Sequence, residues 1–160
     1  MKTTAKYVLF WDGPFSQWHP SVFKVDGTTY NCAEQFMMAE KAKLFGDTKK
    51  RKEIMKTSSP KKQKHLGREV KPFDKNRWNS VARDIVFRGN VAKFSQNEDL
   101  KKELLSTGNR VLAEASPVDE IWGIGLAEDD PEALNPKNWK GTNWLGEVLM
   151  RVRETIKMGH

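Results

Sequence analysis

Glu34 and Lys41 stand seven residues apart in the segment Glu34-Gln-Phe-Met-Met-Ala-Glu-Lys41. On a helix that spacing is nearly two turns, so both side chains share one face. A carboxylate there can stabilise positive charge or position a water, and an amine beside it can attack a sugar carbon and form an imine. A plainer reading also fits: Glu34 lies three residues after Asn31, the spacing of a capping box, and Lys41 alone reads as a surface lysine. A second cluster, Glu114-Ala-Ser-Pro-Val-Asp119-Glu-Ile-Trp122-Gly123-Ile-Gly125, joins acids, an indole and two glycines. An indole face stacks on a base, and glycines let backbone come close to a ligand; a buried Trp anchoring a tight turn is the competing reading. The third cluster is Trp139-Lys-Gly141-Thr-Asn143-Trp-Leu-Gly146. Asn143 there reads as a helix N-cap, and the helix start behind Gly141 as an anion site.

The elements that must position these groups follow from local pattern. Tyr7 to Trp11 reads as a strand closed by Asp12-Gly13-Pro14. Residues 22–25 and 28–30 read as a hairpin with Asp26-Gly27 as its turn. Helices are expected from an Asn31 cap to about Phe45, from Ser59-Pro60 to about Val70, from Asp74 through Phe94, from Asn97 to about Ser106, and from Asn143 to about Lys157. Residues 111–114 read as a strand, and 129–140, with two prolines, as a surface loop. The expected fold is mainly α (α+β), a single domain over 1–160 with a small N-terminal β element.

Composition removes several classes. The chain has 160 residues, one cysteine (Cys32) and three widely separated histidines, so a disulfide framework and a thiolate zinc site are excluded. No metal and no cofactor is expected. No apolar run approaches the ~20 residues of a membrane span, and the first residues lack the apolar stretch of a secretory leader; a cytoplasmic setting and no membrane partner are expected. There is no Gly-x-Ser-x-Gly, His-Glu-x-x-His or Cys–His arrangement to carry serine-hydrolase, zinc-protease or thiol-enzyme chemistry. The net charge of +7 hides an asymmetry. Residues 41–77 hold fourteen Lys or Arg against four acids, whereas residues 114–132 hold seven acids and no Lys or Arg. The basic run reads as a solvated helical face or as a phosphate contact. Among the six tryptophans, Trp11, Trp18 and Trp144 read as packing.

The ordered set of motifs resembles the NADAR family, also called YbiA-like. It comprises Gly13-Pro-Phe15-Ser16, Glu34 through Lys41-Ala42, Gly67-Arg68, Trp78, Lys93-Phe94, Thr107-Gly108, Glu114 through Gly125, and Trp139-x-Gly141-x-Asn143 through Arg153. The resemblance covers about residues 10–156. Gln17-Trp18 stands where the family reads Asn-Phe. The resemblance implies a mainly helical N-glycosidase that breaks a ribose C1–N bond. Its substrates would be ADP-ribose on guanine in nucleic acid, DNA or RNA, or ribosylated intermediates of the riboflavin pathway. For that bond cleavage the candidate catalytic groups are Glu34 as the charge-stabilising or water-positioning carboxylate and Asp119 as the second, with Lys41 the nucleophile of a second, imine-forming mechanism; Phe15, Ser16, Arg68, Trp78, Trp122, Gly123, Gly125, Gly141 and Asn143 are expected to bind substrate. The alternative is a non-catalytic module that binds ADP-ribose or an NAD-type ligand.

Overall fold

A computed structural model describes residues 1–159; residue 160, the third histidine, lies outside the described residues. The chain divides into two compact units, one of residues 1–19 with Glu98 onward, the other Pro20–Asn97.

In the second unit, strands β3 (Phe23–Val25) and β4 (Thr28–Tyr30) form the expected hairpin. Its turn has Asp26 and Gly27 both at positive φ, 50° and 81°, as a two-residue turn of matching twist requires. Four helices follow: α1 (Ala33–Leu44), α2 (Thr48–Lys56), α3 (Pro60–Arg68) and α4 (Lys75–Gln96). Helix α1 is the core element. Every residue from Ala33 to Ala39 is buried, because α2, α3 and α4 all pack on it. Two glycines permit that crowding. A methyl group at Gly89 would lie 2.5 Å from Phe36 Cδ1, and one at Gly67 would collide with Met38 Sδ. Phe36 also meets Tyr30 edge-on at 5.1 Å between ring centres, and Phe23 at 6.1 Å.

Helices α3 and α4 begin where expected, with the Ser59 and Asp74 side chains accepting the Lys62 and Arg77 amides. Helix α2 differs from the sequence reading, which has no helix between Phe45 and Ser59. The Asp47 side chain caps it through the Lys50 amide, and only Ile54 is buried along its length, so no apolar period marks it.

In the first unit, β1 (Lys2–Thr3), β2 (Tyr7–Phe10) and β5 (Val111–Glu114) form a sheet in the order β1-β2-β5. The short β1 was not expected. It runs antiparallel to β2, whereas β2 and β5 are parallel with Phe10 opposite Glu114. Helices α5 (Glu98–Ser106) and α6 (Trp144–Lys157) complete the unit. Helix α6 lies directly on β5: a methyl group at Gly146 would collide with the Leu112 carbonyl. The buried Arg153 guanidinium donates to Thr107 Oγ1 and to the Arg110 carbonyl, each at 2.9 Å, tying α6 to the end of α5. The loop 129–140 carries two short 3-10 turns, Pro131–Leu134 and Pro136–Asn138. Trp11 and Trp18 are not packing residues as expected; they are 55% and 42% exposed. With six helices and two small sheets among the described residues, the fold is mainly α with a minor β component. No helix among these residues is long and apolar enough to cross a membrane.

Candidate active site

The first turn of α1 bears on the capping-box reading of Glu34 with Asn31. The N-cap is Cys32, in extended conformation with φ −166° and no side-chain cap bond. The reach-back to the loop is made instead by Gln35, whose Oε1 accepts the Asn31 N–H at 2.8 Å. Asn31 is spent elsewhere: its Nδ2 donates to the Ser58 carbonyl and its Oδ1 accepts from Gln63. The capping-box expectation is therefore displaced by one residue. Glu34 is only 4% exposed.

Lys41 sits two turns further along the same face, half-buried. Its Nζ is 4.7 Å from the ring centre of Phe73 and 5.6 Å from that of Trp78. Burial pushes its amine below the usual lysine range, the Glu34 carboxylate pulls it back up, and Arg68 pushes it down again. Desolvation, the largest of the three, enriches the neutral nucleophilic amine. Trp78 is buried, with its ring against the Lys41 amine, so it walls the amine. Arg68 is exposed at the last turn of α3.

A cavity of about 260 Å³ beside Tyr30, Asn31 and Gln35 includes neither Glu34 nor Lys41 in its lining. Both of its amide side chains already hold backbone or side-chain partners.

In the other unit, Asp119 organises its own loop. Its Oδ1 accepts the Ile121 and Trp122 amides at 2.9 and 2.8 Å, while Ser116 Oγ accepts the Val118 and Asp119 amides. Trp122, half-buried, is held edge-on against Trp144 with ring centres 5.5 Å apart. Gly123 has no room for a Cβ, which would lie 2.9 Å from both the Asp119 and Glu114 carbonyls, and Gly125 takes φ 73°.

The expected phosphate site at the start of α6 is corrected by its hydrogen bonds. The amides of Lys140 and Gly141 donate to the Ile124 carbonyl, Thr142 to Glu120, Asn143 to Gly123, Trp144 to Ile121 and Leu145 to Trp122. The donors an anion would need are committed to the 120–124 loop. Asn143 does not cap by its side chain either. It adopts a left-handed φ of 54°, donates Nδ2 to the Leu112 carbonyl and accepts the Glu114 amide on Oδ1. It staples α6 to β5. Phe15 is buried edge-on against Phe10 at 5.6 Å, a core position. Ser16 Oγ accepts the Trp18 amide.

Phe73, against the Lys41 amine, and the buried Lys93 were not among the expected site residues. Phe73 is 47% exposed and follows a loop with no periodicity to mark it. Lys93 had a visible signal, a lysine between Ala92 and Phe94 inside the apolar stretch of α4. It is fully buried, and desolvation lowers its pKa to about 7, opposed by the Cys32 thiol. Among the described residues no three His, Cys, Asp or Glu side chains gather in a way that would hold a metal ion.

Fold and motifs define a class. The NADAR domain model matches residues 9–157, and the chain belongs to the NADAR family. It is similar to an N-glycosidase of Acanthamoeba polyphaga mimivirus, 47% identical with 94% of this chain and 96% of the relative covered. It is also similar to N-glycosidase YbiA of Escherichia coli, 36% identical over 90% of this chain and 81% of that protein. The solved structure of Escherichia coli YbiA superposes with a TM-score of 0.79 at 33% identity, covering 99% of this chain and 91% of that one.

Proposed function

We propose that this chain hydrolyses the C1–N bond of an N-riboside, with Glu34 and Lys41 as its reacting groups. The observation that carries the reading is the first turn of α1. Glu34 is buried in that turn, on one face with a lysine whose amine burial holds low, while Gln35 accepts the Asn31 amide. Membership in a family whose relatives are named N-glycosidases supports it.

Cleavage develops positive charge on the ribose ring, which the Glu34 carboxylate offsets. In the amine route, neutral Lys41 Nζ bonds to C1 as the C1–N bond breaks; the base leaves with the bonding pair and is protonated from solvent. Glu34 takes the proton released by the attacking amine. The C1–ring-oxygen bond then opens, its electrons going to oxygen and the nitrogen lone pair forming the imine. Water adds to the imine carbon and expels the amine, returning the free sugar and Lys41. In the water route, Glu34 positions the water that attacks C1 directly. The lowered basicity of Lys41 favours the amine route.

The leaving group is a heterocyclic nitrogen, and guanine carrying ADP-ribose is favoured over a ribosylated riboflavin-pathway intermediate by the basic run 41–77. Arg68 is assigned a phosphate of the substrate. The test incubates the protein with ADP-ribosyl-guanine DNA and, separately, with riboflavin-pathway ribosides, following released base. Release that disappears in Glu34→Gln while ligand affinity persists supports the proposal. Undiminished release by Glu34→Gln overturns the role of Glu34. Binding of ADP-ribose with no release from any riboside returns the protein to the ligand-binding class.

A further inference from the structure

The two rings beside the Lys41 amine are held in different ways. Trp78 is buried within α4, whereas Phe73 stands in the connection between α3 and α4, where residues 71–74 are all exposed. A ring in an exposed connection stays on an amine only if the chain around it is tied down. Two ties come from one corner, Phe45-Gly46-Asp47, just past the last turn of α1 where Lys41 sits. Gly46 turns that corner at a φ of 74°, open to glycine at no steric cost. The Phe45 ring meets Phe73 edge-on with centres 5.3 Å apart. Asp47 uses both carboxylate oxygens. Its Oδ1 accepts the Lys50 amide at 3.1 Å and caps α2, while its Oδ2 accepts the Lys71 amide at 2.9 Å. The Lys71 amide is the largest influence holding the Asp47 carboxyl below the usual carboxylate range, with the Lys50 amide next. A third tie, Lys50 Nζ to Glu69 at 3.0 Å, is an exposed ion pair, a kind that contributes little. A carboxylate on a backbone amide is charge-assisted and fixes the main chain itself, just before the ring.

We propose that Asp47 is a positioning residue for the proposed reaction: its Oδ2 latches the 69–74 connection so that Phe73 stays against Lys41 Nζ and keeps water from it. This rests on the reading of Lys41 as a reacting group and deepens it by adding a residue that acts on the amine through Phe73. Cap and latch are separable, because the cap uses one oxygen and the latch the other. Lys41 faces the Glu34 carboxylate from its own helix, the Arg68 guanidinium from α3, and the Phe73 and Trp78 rings from the connection and α4. Lost charge and lost shielding at Asp47 act on it in opposite directions. Removing an anion by itself disfavours the ammonium, whereas releasing Phe73 hydrates the amine and favours it. The latch therefore predicts a rise in Lys41 basicity where lost charge alone predicts a fall.

The experiment titrates Lys41 on the unliganded chain, so it stands apart from the activity test. Trace acetylation with acetic anhydride from pH 6 to 11, read by mass analysis of the Lys41 peptide, gives the midpoint at which the amine becomes reactive. Asp47→Ser keeps a capping oxygen and loses the second. Its midpoint is expected to move to higher pH, as in Phe73→Ala, so that labelling below the midpoint falls about twofold or more relative to its plateau. Asp47→Asn, left with one acceptor oxygen, should do the same and serves if the serine variant fails to fold. Asp47→Ser added to Phe73→Ala should give no shift beyond that of Phe73→Ala alone. Ser59→Ala strips the α3 cap, leaves the latch, and should leave the midpoint in place. A midpoint unmoved or lowered by both Asp47 variants overturns the latch. So does a shift that adds to that of Phe73→Ala, or one that Ser59→Ala reproduces. A midpoint that rises while the pH profile of kcat/KM stays put upholds the latch and removes Lys41 from the rate-limiting chemistry.

Discussion

The amine of Lys41 lies 4.7 Å from the ring centre of Phe73, an exposed phenyl ring lying against a nitrogen from a different element. Together with the buried Trp78 ring at 5.6 Å, it excludes water from one side of the nitrogen. Burial is the largest influence on that amine and acts downward. Phe73→Ala should rehydrate Lys41 and raise its basicity. Attack needs the neutral amine, so the rate climbs as pH rises through the Lys41 pKa, and the variant needs a higher pH for the same rate. The pH profile of kcat/KM is expected to move to higher pH with a loss of activity at neutrality. An unmoved profile would separate Lys41 from the rate-limiting chemistry.

Lys93 predicts a pH dependence of stability rather than of rate. Its folded pKa is about 7 against an ordinary 10.5, a depressed lysine. Between those values the unfolded chain binds a proton that the folded chain does not, so stability contributed at this site rises with pH across that window. Below about pH 7 both states are protonated and the burial cost is present in full. Urea unfolding of the parent and of Lys93→Met from pH 6 to 10 is expected to show a steeper rise in the parent, by up to about one proton's worth of slope. Parallel curves would mean that Lys93 stays charged in the folded chain.

Gly89 and Gly146 differ from an ordinary helical glycine in what a methyl group would meet. At Gly89 it meets the buried Phe36 ring, and at Gly146 the backbone carbonyl of Leu112. Backbone cannot step aside as a flexible side chain can. Gly146→Ala is expected to cost about 3 kcal/mol and Gly89→Ala about 1–3 kcal/mol, read from urea midpoints. Gly67→Ala should cost less than Gly146→Ala, since Met38 Sδ can change rotamer.

Asn143 joins α6 to β5 by two hydrogen bonds from one amide side chain. Asn143→Gly keeps the left-handed backbone accessible while removing both bonds. A loss of about 2 kcal/mol is expected, about 1 per bond, with substrate KM unchanged at a temperature where the variant is folded. A large rise in KM at full stability would restore a ligand contact at this position.

The parts of this fold legible in the sequence are those with a local mechanism. Asp26-Gly27 dictates a two-residue turn, Ser59-Pro60 and Asp74 dictate helix starts, and the stripe Leu145, Val148, Leu149, Val152 and Ile156 dictates α6. What stayed hidden depends on partners distant in sequence. Helix α2 shows one buried residue among charges, so nothing periodic announces it. Helix α1 is buried all round its first two turns, which erases the contrast between faces. The spacing of Glu34 and Lys41 was visible, but that Gln35 accepts the Asn31 amide depends on Cys32, in extended conformation, being the N-cap. The Gly141–Asn143 turn carries the features of an anion site in one dimension. In three, the carbonyls of residues 120–124 consume its donors, and no local pattern encodes that pairing.

The central claim is that Lys41 and Glu34 break a ribose C1–N bond through an imine. Borohydride added during turnover of an ADP-ribosyl-guanine substrate, followed by peptide mass analysis, tests it directly. The account predicts a reduced sugar adduct on the peptide containing Lys41, absent without substrate and absent in Lys41→Ala, which should also lose turnover. No adduct under productive turnover, with Lys41→Ala still active, would contradict it.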